Sequence, residues 1–562
     1  MIRSAVYWTF FCQRKSRSSL FHFNVEGIIM RSNSFIITEV TDTFFRDFDR
    51  NKYTSFREVC QKLFDATIAE IRDLENSVRS KDDKLTVPKD LSAYQVAQAL
   101  LHVYDFRCVF FAENSDDPTT SLLVLYDKEQ GIYINRPSLI RQMIQSVACL
   151  FSSRDISLTM DLLRDNAPLV PPCRDPNLIA VGNGIFNYET KELMPFSPDY
   201  VFLAKSPINY VPGAKNPVIH DDSDNTDWDV ESWFLSLSDD PEIIDLLWKI
   251  TGAVLRPHVR WNKSAWFYSE RGNNGKGTFC AMLRNLAGPQ NCSSIPISDF
   301  GKDFALEPLL HSLAIIVDEN SVGEYIDKSA AMKAVITGDV VSINRKYMNP
   351  ISFSFSGFMI QCLNEYPKVR DRSSSWYRRQ LFVPFEKCFT GIEKPYIKSD
   401  FLKRNDVLEY VLCKVLNTNY DALPVPKISQ EILIDYMEFN DPVTQFWSDM
   451  RTLLQWDIVP FPFLWDLYRA WFAQTNPSGK IQGRNRFILD MVAVLDLDPD
   501  WACPDKKKSY HTKNIVTKPE PLIDHYNLTN WKNRSYSGND IAKICTPNLS
   551  DLAATYHGII RV

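Results

Sequence analysis

The sequence has no apolar run long enough to cross a membrane and no cysteine pattern typical of a metal site. A helix that crosses a bilayer needs roughly 20 apolar residues, and the apolar runs here are far shorter. The 12 cysteines include no C-x-x-C pair and no His/Cys cluster at zinc spacing. This argues against a structural zinc site and for reduced thiols in a cytosolic compartment. We also find no internal repeat or low-complexity block, and we expect no membrane partner.

The chain also lacks an excess of positive charge. It has 63 Lys and Arg against 69 Asp and Glu, which gives a formal net charge of −6. Contact with nucleic acid would therefore need local basic clusters, because the field of the whole molecule does not attract phosphate. A length of 562 residues predicts a globular protein of several domains. Composition thus neither requires nor excludes DNA as a partner.

The N-terminal part of the chain is predicted to be mostly helical. Residues 1–29 precede Met30, a plausible alternative start, and we interpret them as a leader that is disordered or not translated. Residues 30–175 form the first domain, in which apolar residues recur at three- and four-residue intervals. Asp47 and Asp49 resemble the metal-binding carboxylates of archaeo-eukaryotic-type primases, but no partner motifs follow. A solvated surface segment is the simpler interpretation of this pair.

Three more domains are predicted from changes in pattern. Residues 176–260 contain short β-rich runs with turn signals and then helical spacing, which predicts a small α+β domain. Residues 261–440 contain several apolar strands and a glycine loop. Residues 441–562 contain two amphipathic segments separated by a polar turn, which indicates a helix-turn-helix within a winged-helix-like domain.

The segment "YSERGNNGKGTFC" is predicted to bind phosphate. A phosphate loop joins a buried strand to a helix whose first amides point at the anion. The run "SAWFY" before the loop is of strand type, and apolar residues after it follow helical spacing until Gly288. Lys276 would reach the terminal phosphates, and Thr278 is the hydroxyl nearest to it, since a glycine follows the lysine directly. The predicted nucleotide-binding residues are Gly272, Asn273, Asn274, Gly275, Lys276, Gly277 and Thr278.

Two later strands are expected to deliver polar groups to the same place. "LAIIVDEN" is a continuous apolar run of buried parallel-strand type that ends in Asp318 and Glu319. The first carboxylate would hold Mg²⁺ together with Thr278, and the second would polarise the attacking water. "GFMIQCLNEYP" ends in Asn364, which could orient that water. Ligands bind at the carboxyl ends of strands in open α/β sheets, so we expect these residues to meet there.

These ordered motifs resemble the superfamily 3 helicases, and within them the primase-helicases of phages, plasmids and large DNA viruses. The resemblance runs from about residue 176 to 385 and includes "ITGDVVSINRKYMNPISF" and "WYRRQLFVPF". It departs from the family pattern at Glu270, which stands where the first loop glycine is expected, and at Gly277, where the hydroxyl usually follows the lysine. The fold class implied is α/β, with an AAA+-like P-loop core between a mostly helical N-terminal region and a winged-helix-like C-terminal domain.

The resemblance also implies roles for basic residues. In the family, ATP lies with Mg²⁺ at the subunit interfaces of a ring, expected to be a hexamer, and an arginine finger acts on the neighbour's ATP. Arg378 or Arg379 would be that finger. A hairpin grips DNA in the channel, so Arg345 and Lys346 would contact phosphates, with a solvated turn as the alternative. The C-terminal domain adds candidate DNA contacts at Lys480, Arg484, Arg486, Lys506, Lys507 and Lys508.

The function expected on these grounds is that of an ATP-dependent replicative DNA helicase of a phage, prophage or plasmid, in the cytoplasm of a bacterial host. The N-terminal region supplies no credible polymerising site, so a separately encoded primase is the expected partner. Two alternatives stay open. One is an ATP-regulated, DNA-binding replication initiator with little unwinding, and the other is a P-loop phosphotransferase.

Overall fold

A computed structural model describes most of the chain. The described residues are 32–77, 85–111, 121–222, 225–321, 323, 325–326, 328–346, 348–475, 481–496 and 498–562. The interpretation of residues 1–29 as a leader and the candidate DNA contact at Lys480 lie outside them. None of the helices in these ranges has the length and apolar character that a bilayer span requires. The chain divides into two compact units.

The described residues of the first unit are those within 32–109, 122–126 and 135–170. Its helices are α1 (Asn33–Arg46), α2 (Phe56–Ser77), α3 (Ala93–Val103), α4 (Pro137–Val147) and α5 (Ser153–Asn166). Strand β1 (Phe106–Val109) pairs antiparallel with β2 (Leu122–Asp127) and parallel with β4 (Leu169–Val170). The mostly helical character predicted for this region is confirmed, and the small sheet was not predicted.

The candidate carboxylate pair in this unit has a local structural role. Asp49 Oδ1 accepts a hydrogen bond from the backbone amide of Asn51 at 3.0 Å and caps a short 3₁₀ turn. Asp47 is the residue at which α1 ends. Capping of this kind is what a short polar side chain does at a surface turn.

The described residues of the second unit are those within 110–121, 127–134 and 171–562. It starts with β3 (Ile132–Ile134), an antiparallel sheet of β5 (Leu178–Val181), β6 (Gly184–Asn187) and β7 (Glu192–Met194), and a hairpin of β8 (Ile219–Asp221) and β9 (Thr226–Trp228). Two helices follow, α6 (Val230–Ser236) and α7 (Pro241–Leu255). Asp229 and Asp240 cap these helices with their side chains, as expected from the N-cap preference for aspartate.

A five-stranded parallel sheet forms the centre of this unit. Its strands are β10 (Ser264–Tyr268), β11 (Cys292–Ser293), β12 (Ala314–Val317), β16 (Phe358–Leu363) and β18 (Gln380–Pro384). The spatial order is β11-β12-β16-β10-β18, and every neighbouring pair is parallel. The strands are almost fully buried, which explains their continuous apolar runs. Helix α8 (Lys276–Ala287) packs on this sheet.

The elements between and after these strands complete the core. They are β13 (Tyr325–Ile326), α9 (Ser329–Thr337), β14 (Val340–Arg345), β15 (Met348–Ser354), β17 (Lys368–Val369), α10 (Ser374–Tyr377), α11 (Pro395–Ser399), α12 (Asn405–Asn417) and α13 (Lys427–Asn440). Strands β14 and β15 pair antiparallel with a register shift near their turn. The hairpin indicated by the sequence is therefore present.

The C-terminal part has its own aromatic core. Its elements are α14 (Pro442–Met450), β19 (Ile458–Pro460), α15 (Phe461–Thr475), α16 (Arg484–Leu495), β20 (Trp501–Ala502), β21 (Ser509–His511), α17 (Thr512–Ile515), α18 (Leu522–His525), α19 (Ile541–Ile544) and β22 (Thr555–Arg561). Strand β22 pairs antiparallel with β19, β20 and β21. The two helices predicted here are present as α15 and α16, and the winged-helix assignment stays a prediction.

Candidate nucleotide-binding site

The glycine loop joins β10 to α8 in the way that a phosphate loop requires. Gly275 is the N-cap of α8 with φ +89°, a conformation that L-residues rarely adopt. It has no side chain to cap the helix. The Lys276 amide is bound by Asn274, and the amides that follow it in the first turn face the side where a helix N-terminus binds an anion. A Cβ at Gly275 would lie 2.9 Å from Leu237 Cδ2. The geometry therefore needs glycine at Gly275 for two separate reasons.

Lys276 is buried at the carboxyl edge of the sheet. Its Nζ donates to Asn364 Oδ1 at 2.7 Å, to the Leu363 carbonyl at 3.0 Å and to the Ser269 carbonyl at 3.2 Å. Burial lowers the pKa of this ammonium, with smaller opposing effects from nearby groups that include Glu319. The structure thus brings together two residues from different motifs, the loop lysine and the polar end of β16.

Two asparagines fix the shape of the loop. Asn274 Nδ2 donates to the Arg271 carbonyl at 2.5 Å, and its Oδ1 accepts from the Lys276 amide at 3.3 Å. Asn273 lies in the left-handed region with φ 52°. Its side chain donates to Glu393 Oε1 at 3.0 Å, and its carbonyl accepts from the Phe389 amide at 2.8 Å. The segment after β18 is therefore attached to the loop.

The loop position that departs from the family pattern has a partner of its own. Glu270 Oε1 accepts a hydrogen bond from the Tyr268 hydroxyl at 3.1 Å. Tyr268 in turn stacks on Tyr366, with ring centroids 4.6 Å apart. Glu270 thus faces the aromatic side chains at the ends of β10 and β16, where a glycine would leave the Tyr268 hydroxyl without this bond.

The carboxylate strand β12 ends with two exposed acids and one buried amide. Asp318 and Glu319 are exposed, whereas Asn320 is 5% exposed. Asn320 Nδ2 donates to Gln361 Oε1 and to the Cys362 carbonyl, each at 3.0 Å. This buried amide network ties β12 to β16 and fixes where the two acids emerge. The role of Asn320 was not predicted from the sequence.

Thr278 and Asp318 both line a large pocket beside the loop, with a volume of about 900 Å³. A hydroxyl and a carboxylate are hard oxygen donors of the kind that Mg²⁺ prefers. Their donor chemistry is thus of a kind that would suit a magnesium ion. Asp318 Oδ1 already accepts a hydrogen bond from Arg284 Nη1 at 2.6 Å.

The rest of this pocket was not predicted. It extends along one flank of α8 and is bordered by residues 227–237 and 389–403. The pocket is lined by apolar side chains and by charged residues of both signs. The apolar ones include Trp228, Trp233, Leu237, Phe389, Ile392 and Ile397, and the charged ones include Lys394, Lys398, Lys403, Asp227, Asp229 and Glu393. No periodicity links these segments to the loop, so the sequence alone carried no signal for them.

The arginine pair lies at the opposite edge of the sheet. The Arg379 carbonyl accepts from the amide of Ser264, the first residue of β10, at 2.8 Å. The five residues of β10 separate that edge from the phosphate loop by roughly 16 Å at about 3.3 Å per residue. Arg378 is exposed, and Arg379 is half-buried. Burial and then the charge of Arg378 lower the pKa of Arg379.

The hairpin places its two basic residues differently. Arg345 is 5% exposed, and its Nε and Nη2 donate to the Asn349 carbonyl at 3.1 and 2.9 Å. The guanidinium is thus turned into the hairpin, and the contact of Arg345 with DNA phosphate stays a prediction. Lys346 is exposed at the turn. Of the two basic residues, Lys346 thus faces solvent, and Arg345 supports the hairpin itself.

The candidate DNA contacts that the structure describes in the C-terminal part are exposed. Arg484 and Arg486 are exposed in the first turn of α16, and Arg486 pairs with Asp490 at 2.9 Å. The run Lys506–Lys508 is exposed between β20 and β21. Their contact with DNA stays a prediction.

Three family models match separate parts of the chain. Residues 97–236 match a model described as "D5 N terminal like", and residues 438–518 match "Poxvirus D5 protein-like". Residues 267–379, which contain the phosphate loop and the two polar strand ends, match "Family of unknown function (DUF5906)". Each model covers less than half of the chain.

Solved structures of a C-terminal region are also similar. "The apo structure of NrS-1 C terminal region (305-718)" is 12% identical, with 84% of this chain and 100% of that chain covered and a TM-score of 0.45. "The A form apo structure of NrS-1 C terminal region-CTR" is 12% identical at the same coverage, with a TM-score of 0.41. At these TM-scores the likeness decides neither fold nor function. The two D5-type matches support a relationship between this chain and the primase-helicase-like replication proteins of phages and viruses.

Proposed function

We propose that this chain is an ATP-driven replicative DNA helicase of phage, prophage or plasmid type, with a P-loop core of the AAA+ class and superfamily 3 motifs. The observation that supports it most is the meeting of Lys276 with Asn364 at the sheet edge where Asp318 and Glu319 also emerge. Polar groups from three strands converge where open parallel sheets bind ligands. The β11-β12-β16-β10-β18 order, with the loop strand between two others, fits such a core.

The residues of the loop would bind and orient the nucleotide. The first amides of α8 would hold the phosphates, and Lys276 would leave its carbonyl partners to contact the terminal ones. Thr278 and Asp318 would hold Mg²⁺, which neutralises phosphate charge when bound. Exposed Glu319 would accept a proton from the attacking water, and Asn364 would orient that water.

The arginine pair supports a ring in which one subunit completes the site of the next. Arg378 and Arg379 lie at the amino edge of the sheet, a strand length away from their own phosphate loop. A guanidinium at that edge suits an ATP held by a neighbouring copy. We propose a homo-oligomeric ring, most simply a hexamer, whose channel hairpin uses Lys346 to contact the DNA backbone. A separately encoded primase would supply primers in the cytoplasm of the bacterial host.

The experiment that tests this function is a DNA-dependent ATPase assay on the full chain. We expect hydrolysis that requires Mg²⁺, rises with single-stranded DNA and disappears in Lys276→Ala. Lys387→Ala, which removes a half-buried lysine that pairs with Asp239, provides a lysine control outside the loop. ATP consumption that does not change with DNA and requires a small hydroxylated acceptor would instead favour the phosphotransferase alternative. DNA binding with ATP-controlled assembly but little turnover would favour the initiator.

A further inference from the structure

Arg284 makes an ion pair with the magnesium-side carboxylate from within the same subunit. Arg284 lies on α8 about two turns after Lys276. Its Nη1 donates to Asp318 Oδ1 at 2.6 Å, and its Nη2 donates to the Ile316 carbonyl at 2.7 Å. The side chains of Arg284 and Asp318 are 24% and 45% exposed. One guanidinium thus binds both the end of β12 and the acid that follows it.

This pair differs from an ordinary surface ion pair. A second bond to a strand carbonyl fixes the plane of the guanidinium, so little side-chain freedom remains to be lost. Arg284 also borders the same pocket as Thr278 and Asp318. Its charge therefore lies among the groups proposed to hold the metal, and arginine cannot lose its proton in a protein.

The charges determine what happens when a divalent cation approaches. Asp318 is neutralised on one oxygen by a partner 2.6 Å away. A cation that binds Asp318 must share or displace that partner, and it experiences repulsion from the guanidinium. Nucleotide phosphates bring several negative charges into the same pocket and reverse this balance. Binding of the cation is then favourable only when the nucleotide is also bound.

We propose that Arg284 is a positioning residue that acts as the resident counter-ion of Asp318. It holds the carboxylate in place in the nucleotide-free protein, and it makes the site poor at binding a divalent cation alone. Cation and nucleotide therefore enter together. This inference rests on the proposed nucleotide site, and it assigns to Arg284 a role in setting cation affinity that is separate from hydrolysis.

The test measures Mn²⁺ binding to the full-length protein by electron paramagnetic resonance, without nucleotide and with ADP. We compare the wild type with Arg284→Gln and Arg284→Met, which remove the charge. Arg451→Gln is the matched control, because Arg451 pairs with Asp498 at 3.3 Å elsewhere in the chain. We expect both Arg284 variants to bind Mn²⁺ without nucleotide roughly three- to tenfold more tightly than wild type, and Arg451→Gln to leave the affinity unchanged.

A second variant separates charge from packing. Arg284→Lys keeps the positive charge near Asp318, so nucleotide-free Mn²⁺ affinity should stay within about twofold of wild type. If Arg284 only stabilises the fold, all three variants would lower the melting temperature and none would change Mn²⁺ affinity, and the inference would be overturned.

The inference can also be tested on the wild-type protein, so that the test does not depend on the folding of any variant. Without nucleotide, its Mn²⁺ affinity should be weak, with a Kd on the order of 1 mM, and ADP should strengthen it at least tenfold. Tight Mn²⁺ binding in the absence of nucleotide would contradict the role of Arg284. Failure of the proposed function looks different, because a fluorescent ADP analogue would then not bind at any Mg²⁺ concentration.

Discussion

Lys276 Nζ lies 2.7 Å from Asn364 Oδ1, so the loop lysine is bound by the polar residue at the end of β16. We expect Lys276→Ala to abolish nucleotide binding. Asn364→Ala should keep binding, but hydrolysis should slow by roughly 10²-fold, since one preorganised polar group near the phosphate is lost. Binding of a fluorescent ATP analogue and steady-state turnover measure the two effects. Wild-type turnover in Asn364→Ala would restrict Asn364 to holding the lysine.

Glu319 is expected to act as the general base. Glu319→Gln should bind ATP as well as wild type and hydrolyse it roughly 10²- to 10⁴-fold more slowly, because the side chain keeps its shape but loses the proton acceptor. Glu365, an exposed acid beside Asn364, provides the matched control. If Glu365→Gln slows turnover as much as Glu319→Gln does, the effect is one of surface charge.

A side chain at Gly275 should destabilise the protein, whereas a side chain at Gly272 should be tolerated. Gly275→Ala forces an L-residue into φ +89° and brings a Cβ to 2.9 Å from Leu237. We expect a loss of about 1–2 kcal/mol in the free energy of unfolding, together with weaker nucleotide binding. Gly272 has open space around its Cβ direction, so Gly272→Ala should stay within about 0.5 kcal/mol of wild type. Equal losses in denaturant melts would contradict this difference.

Substitutions of the two basic residues of the hairpin should have different effects, one on stability and the other on DNA binding. Arg345→Ala leaves the Asn349 carbonyl without its buried donors and should cost about 1–3 kcal/mol of stability. Lys346→Ala should leave stability and basal hydrolysis unchanged. It should weaken single-strand binding similarly for unrelated sequences and reduce the salt slope by about one. An unchanged slope in Lys346→Ala would place the DNA path elsewhere.

The arginine pair should act between subunits. A subunit carrying both Arg378→Ala and Arg379→Ala should bind ATP yet hydrolyse little. Mixing it with Lys276→Ala subunits should restore part of the activity, because some interfaces then combine an intact loop with an intact arginine. Activity is measured on rings shown by mass spectrometry to contain both subunits. No recovery in such mixed rings would rule out action across the interface.

The central sheet could be predicted because its strands are short, apolar on both faces and punctuated by polar residues. That pattern correctly indicated the strands that end before Asp318 and Asn364. The hairpin also follows the alternation of β14, whose buried residues are Val341, Ile343 and Arg345. The same period of two places Arg345 on the inner face. The positive charge of Arg345 favours a phosphate contact, whereas the period-two pattern of β14 indicates that its side chain is buried.

Other parts of the site depend on contacts that one sequence does not reveal. The pair of Arg284 with Asp318 joins a helix to a strand end, and neither residue type nor spacing specifies it. The pocket is lined by two segments, residues 227–237 and 389–403, which lie before and after the strands of the central sheet along the chain. The small sheet of the first unit was not predicted, because its short strands lie between strongly periodic helices.

Strand displacement tests the central claim most directly. A forked duplex with one labelled strand is incubated with the full-length protein, Mg²⁺ and ATP, and the released strand is quantified. We expect release with ATP, none with a non-hydrolysable ATP analogue, and none with Lys276→Ala, while Lys387→Ala displaces the strand like wild type. A protein that binds the fork and hydrolyses ATP, yet releases no strand under any of these conditions, would contradict the assignment of a helicase.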